Sequence, residues 1–244
     1  VWECPNFFQL ADKYILIYSP DLIGDDRVRY KVGTLEKDFR FHSEYEGILD
    51  YGGREGYYAV TSFIDGQGRR ILLSWMPETA RGNFSGIQGW NGAHALPRVL
   101  SLKDNRLHME PIHELRKLRK NHMLILSQMV KGVFQTNVSG KALEIICIVK
   151  EAKNPFEIIF FRSPDGEEET VLRVDSVAGK AILKRSKSSL YSGTHQFAIE
   201  ADLRKTAYSE YRIHLFLDYS TVEVFINEET AISARVYPKR EDST

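Results

Sequence analysis

The residues with the most chemistry in this 244-residue chain are its first eight, Val1-Trp2-Glu3-Cys4-Pro5-Asn6-Phe7-Phe8. A carboxyl group sits between an indole and a thiol, followed by a proline and two aromatics. Apolar walls disfavour the carboxylate form, so a glutamate enclosed this way keeps its proton to higher pH. That is the state a general acid needs near neutrality. The same residues also suit a plain strand, with Trp2, Phe7 and Phe8 in a core and Glu3 exposed beside them.

Four segments decide between these readings. Trp2-Glu3-Cys4-Pro5 with its aromatic pair, Leu72-Leu73-Ser74-Trp75-Met76, and Gly89-Trp90-Asn91-Gly92-Ala93 with Leu96-Pro97-Arg98 come in that order. Asp218-Tyr219-Ser220-Thr221-Val222-Glu223-Val224-Phe225-Ile226-Asn227 follows near the C-terminus. Together they resemble the family 32 glycoside hydrolases, which include invertases, sucrose-6-phosphate hydrolases, inulinases and levanases. The likeness runs over essentially the whole chain.

The resemblance implies a fold, a reaction and a set of site residues. The fold would be the later blades of a five-bladed β-propeller followed by a C-terminal β-sandwich. The reaction would be cleavage of terminal β-D-fructofuranosides with retention, which takes two carboxyl groups flanking the scissile bond. Glu3 would be the acid/base. Cys4 would line the pocket, and Tyr58 would be a further substrate contact. Trp75 would stack near the sugar, or else fill the propeller core. The partner would be a fructose-containing saccharide, and no cofactor is implied.

The family nucleophile is an Asp in a Trp-x-Asn-Asp-Pro-type motif, and a third acid comes from an Arg-Asp-Pro motif. Asp12, Asp21, Asp25, Asp26, Asp38, Asp50, Asp65 and Asp104 have neither context. Both motifs are therefore expected in N-terminal blades upstream of Val1, and the chain is expected to be an incomplete copy that is inactive alone. Asp50-Tyr51-Gly52-Gly53 and Tyr57-Tyr58-Ala59 resemble a family Asp-x-Gly and Tyr-Ala pair. Here they stand two residues further apart than the pattern expects. Asn6 replaces a more usual Asp and could change hydrogen bonding to Glu3. Trp90 and Arg98 read as structural, a buried indole and a strand anchor, and Glu223 as a strand-edge group. The alternatives are a non-catalytic carbohydrate-binding or assembly module, or another five-bladed hydrolase or transferase acting on fructans.

The elements that must position these residues are almost all strands. Apolar or alternating runs of strand length occur at 14–18, 28–34, 56–63, 71–75 and 107–110, separated by turn residues. A second set lies at 141–149, 157–161, 171–174, 196–200, 212–217, 222–226 and 232–237. Leu115 and Leu118, spaced helically among charges, predict a short amphipathic linker. The expected domains are a partial propeller over 1–112, a linker over 113–123 and a sandwich over 124–244.

Composition adds exclusions. The formal net charge is zero with pI near 7.2, so nothing directs the chain to nucleic acid or an anionic membrane. No apolar run is long enough to span a bilayer. The seven histidines show no ligand spacing, so no metal is expected. Cys4 and Cys147 lie too far apart in sequence to suggest a disulfide scaffold, and Cys147 reads as core. Asn83-Phe84-Ser85 and Asn137-Val138-Ser139 are glycosylation sequons if the protein is secreted.

Overall fold

A computed structural model of the chain describes residues 1–21, 24–78, 89–204 and 210–244. It is all-β, built from four antiparallel sheets. Sheet one runs in chain order through β1 (Trp2–Leu10), β2 (Lys13–Pro20), β3 (Arg29–Leu35) and β4 (Phe41–Ile48). A single helical turn, α1 (Gly53–Gly56), leads into sheet two. That sheet orders β5 (Tyr58–Ile64), β6 (Arg70–Met76), β8 (Arg98–Lys103) and β9 (Arg106–Pro111), and the short β7 (Ala93–His94) pairs with the end of β6.

These are meanders closed by local turn chemistry. Between β5 and β6, Asp65 Oδ1 accepts from the backbone N–H of Gln67 and of Arg69, both at 2.9 Å. Gly68, at φ +78°, supplies the left-handed residue that turn requires. The sheets pack face to face in a propeller arrangement. Ile15, Ile17, Val28, Tyr30 and Val32 of the first region meet Val60, Leu72, Leu100, Leu107 and Met109 of the second in one buried cluster. β1 and β5 are both edge strands, and they lie against each other.

The C-terminal half holds two more four-stranded sheets. Sheet three orders β10 (Ala142–Lys150), β15 (Glu210–Asp218), β16 (Thr221–Ile226) and β17 (Thr230–Arg235). Sheet four is β11 (Phe156–Phe160), β12 (Glu169–Asp175), β13 (Lys180–Lys187) and β14 (Ile199–Asp202). Their inward residues share one core that includes Leu172, Leu183, Ile213, Leu215, Val222 and Val224. Period-two alternation sends Leu143, Ile145, Cys147 and Val149 of β10 towards that core and leaves Ile146 and Ile148 exposed. Burial pushes the Cys147 thiol up.

β16 is buried on both faces. Val222, Val224 and Ile226 face the C-terminal core, whereas Phe225 joins the cluster of sheets one and two. Glu223 is thus on an interior strand, between β15 and β17, and not at a strand edge as the sequence suggested. The two halves touch most closely at α1. A Cβ on Gly52 would stand 2.1 Å from the Ser233 carbonyl oxygen, and one on Gly56 would stand 1.9 Å from it. Only glycine lets the backbones approach so near.

Several expectations need correction. The span 56–63 is not one strand: Gly56 closes α1 and β5 starts at Tyr58. The strand expected at 196–200 lies at β14. Strands β4, β8 and β13 carried too many polar residues to be read as strands. In place of the expected amphipathic helix stands a 3-10 turn, His113–Leu118, with no buried residue: Leu115 is half-buried and Leu118 exposed. Residues 119–141 follow without a regular element. Asn137 is exposed there, and the Asn83 sequon lies outside the described residues.

Candidate active site

β1 places Glu3. The strand pairs with β2 as a hairpin, Glu3 opposite Ser19, and its register shifts between Glu3 and Asn6. Cys4 takes φ 48° at that bulge and is exposed. Pro5 fits because an edge strand need not donate its N–H. The Asn6 amide donates to the Cys4 carbonyl at 3.0 Å and to the Val60 carbonyl at 2.8 Å. It therefore ties the bulge to β5 rather than bonding Glu3.

The walls around Glu3 are polar, not apolar. Successive strand residues point to opposite faces, so Trp2 turns away and stacks on Tyr18 at 4.2 Å, with Lys31 over its ring. Glu3 meets groups from fifty residues downstream. The Tyr58 hydroxyl donates to Glu3 Oε2 at 2.6 Å, and Arg54 Nη2 lies 3.7 Å from the same oxygen. Arg54 Nη2 donates to the Tyr58 hydroxyl at 2.9 Å and to Asp21 Oδ1 at 2.7 Å, and the guanidinium covers the Tyr58 ring. Burial and the bond to Glu3 push the Tyr58 phenol up, against the opposing pull of Arg54. Among the described residues, Glu3 Oε1 receives no hydrogen bond, and the side chain is 41% exposed.

Tyr58 and Trp75 are direct partners across β5 and β6. Cross-strand partners share a face, so Trp75 continues the row that begins at Glu3. It is 44% exposed. Gly92 packs against its indole, where a Cβ would stand 2.4 Å from Nε1. The structure thus joins Glu3 to Tyr58 and sets Trp75 opposite Tyr58, while Cys4 is exposed at the bulge that follows Glu3. Arg54 and Asp21 were missed by sequence reasoning. The one available signal was the unusual spacing between Asp50 and Tyr58, the stretch that holds α1.

Asp50 lies elsewhere, in a buried cluster. Its Oδ2 accepts from Arg98 Nη1 at 2.8 Å and Ser233 Oγ at 2.7 Å. Its Oδ1 accepts from the N–H of Gly52 at 2.8 Å and of Ser233 at 3.0 Å. Arg98 Nη2 also donates to Glu223 Oε2 at 2.8 Å, and Glu223 Oε1 accepts from the Leu96 N–H at 2.7 Å. Arg98 is an anchor between sheets two and three, as expected. Trp90 is not a buried indole: it is 41% exposed and lies against Arg235.

This arrangement can deliver and recover a proton at an exposed carboxyl oxygen beside an aromatic platform. Residues 1–111 match the Glycosyl hydrolases family 32 N-terminal domain, and residues 113–244 match the family's C-terminal domain. The sucrose-6-phosphate hydrolase of Zymomonas mobilis is 27% identical, over 99% of this chain and 49% of its own length. That of Staphylococcus xylosus is 30% identical, over 97% of this chain and 49% of its own. An exo-inulinase from Aspergillus awamori has the same fold, with a TM-score of 0.85 at 22% identity, over 100% of this chain and 53% of that one. The chain spans about half the length of the curated relatives it matches. With both domain matches in sequence order, the chain belongs to glycosyl hydrolase family 32.

Proposed function

We propose that these residues form the acid/base side of a retaining β-fructofuranosidase. Sheets one and two would be two blades of a five-bladed propeller, and sheets three and four a β-sandwich. The meander topology and the two separate cores support that reading. The domains would be 1–112 and 124–244, joined by 113–123. The substrate class would be terminal β-D-fructofuranosides such as sucrose, sucrose 6-phosphate or fructans, which the names of the relatives support.

The observation that carries the proposal is the state of Glu3. One carboxyl oxygen is fixed by a phenol, while the other has no protein partner among the described residues. In the first step Glu3 gives its proton to the leaving sugar's oxygen as the glycosidic bond breaks and a carboxylate bonds the fructosyl carbon. In the second it takes a proton from water as that water displaces the enzyme carboxylate. The attacking carboxylate would come from residues outside these 244. Trp75 would bear on the sugar, with Tyr58 and Cys4 flanking it.

The test is Glu3→Gln in the full-length gene product, assayed on sucrose and on a fructoside with a good leaving group. Sucrose turnover should collapse, and the activated substrate should lose less in the first step. Unchanged sucrose turnover would remove Glu3 from the mechanism. The 244-residue chain alone should hydrolyse neither substrate; robust hydrolysis would place the nucleophile within it. A chain that binds saccharide with Glu3 dispensable and no turnover would be the non-catalytic module.

A further inference from the structure

We propose that Arg54 is a positioning residue for the acid/base, holding the Tyr58 hydroxyl so that its proton points at Glu3. The inference rests on the reading of Glu3 given above. Three observations carry it, and the first is directional. A guanidinium can only donate, and a phenol has one proton. Because Arg54 Nη2 donates to the Tyr58 oxygen at 2.9 Å, that proton is left for Glu3 Oε2, 2.6 Å away.

The second is stoichiometric. Nη2 has two hydrogens, one directed at Tyr58 and one at Asp21. Neither remains for Glu3, which at 3.7 Å sees the charge without a bond. Arg54 therefore acts on Glu3 through Tyr58, and Asp21 holds Arg54 in place. The transferred proton must then ride on Oε1, the oxygen without a protein partner among the described residues. The third is the carrier. Arg54 stands on α1, the helical turn between Asp50 and Tyr58, whose Gly52 and Gly56 rest on the Ser233 carbonyl and so fix its place.

Two measurements test the proposal. Arg54→Met in the full-length gene product should lower sucrose kcat about ten-fold, the scale of a hydrogen bond to a charged group, with KM within about two-fold. Arg54→Lys, which keeps a cationic donor, should recover part of the loss. The double variant Arg54→Met/Tyr58→Phe should be no slower than Tyr58→Phe alone, since residues acting in series do not add. Additive losses, or a rise in KM alone, would overturn the proposal. Independently of activity, the Tyr58 phenol can be titrated by NMR of 13C-labelled tyrosine in the 244-residue chain, with Tyr58→Phe for assignment. In Arg54→Met it should titrate at higher pH than in the wild type, and an unmoved titration would overturn the relay. If Glu3→Gln keeps full turnover, the fructosidase reading fails, and the phenol titration alone decides the relay.

Discussion

Two of the molecule's arginine–carboxylate clusters, around Arg98 and around Arg54, differ in what is left over. Around Arg98, both oxygens of Asp50 and both of Glu223 are bonded, and the guanidinium is sealed between Tyr57 and Phe225. Around Arg54, one Glu3 oxygen is bonded, the other receives no hydrogen bond among the described residues, and the side chain is 41% exposed. A saturated carboxylate can only hold things together; proton transfer needs a lone pair that a substrate can reach. Proximity to arginine does not mark a catalytic acid. The role proposed for Glu3 further requires a carboxyl oxygen left without a protein partner.

The contrast can be broken by exchanging the expected losses. Glu3→Gln should reduce turnover by roughly a hundred- to ten-thousand-fold and leave the thermal melting temperature where it was. Arg98→Met should do the reverse. It strands two buried carboxylates and should cost about 3–5 kcal/mol of stability, measured by urea denaturation, with near-normal kinetics in the folded fraction. A Glu3 variant that melts early, or an Arg98 variant that stays stable, would dissolve the distinction.

The fold class was legible because period-two alternation survives in most strands. It failed in the strands whose inward residues are polar. Arg98 opens β8 and Arg185 sits in β13, both fully buried, and each reads in sequence as a solvated charge. β4 is a mostly exposed edge strand, so His42, Glu44 and Glu46 break its apolar pattern. At the candidate site, motifs single out Glu3, Tyr58 and Trp75, and the fold sets them in one row. Their surroundings were not legible, since Arg54 reaches the Glu3–Tyr58 pair from α1 and is itself held by Asp21. The enclosure of Glu3 by Trp2 was misread because chain neighbours on a strand look in opposite directions.

Two smaller effects sharpen the comparison. Trp75→Ala, on the open row, should cost less than about 1 kcal/mol of stability, as a half-exposed side chain does. It should raise KM about ten-fold if the ring stacks on sugar. A large fall in melting temperature with normal kinetics would return Trp75 to the core. The smallest effect concerns Glu110 and Glu228, where β9 meets the β16–β17 turn and the Met109 N–H donates to the Glu228 carbonyl at 2.7 Å. Burial, and then the neighbouring Glu228 carboxyl, push Glu110 above the usual carboxylate range. A carboxyl raised on folding contributes stability that is complete below its unfolded value and is lost as pH rises through its folded value. Glu228→Gln should therefore raise the melting temperature at neutral pH and not at about pH 4, where the proton is already in place. An equal change at both would deny the coupling.

The contact of Gly52 and Gly56 with the Ser233 carbonyl bears on recombination between relatives. Because α1 lies directly on β17, the turn that carries Arg54 takes its height from a strand of the other half. A chimera joining residues 1–111 to a foreign C-terminal half would inherit every residue of the Glu3 row. It would still work poorly unless the foreign strand reproduced that backbone surface. The natural seam for exchange is thus not the linker, where the chain is easiest to cut, but a boundary that carries α1 and β17 together.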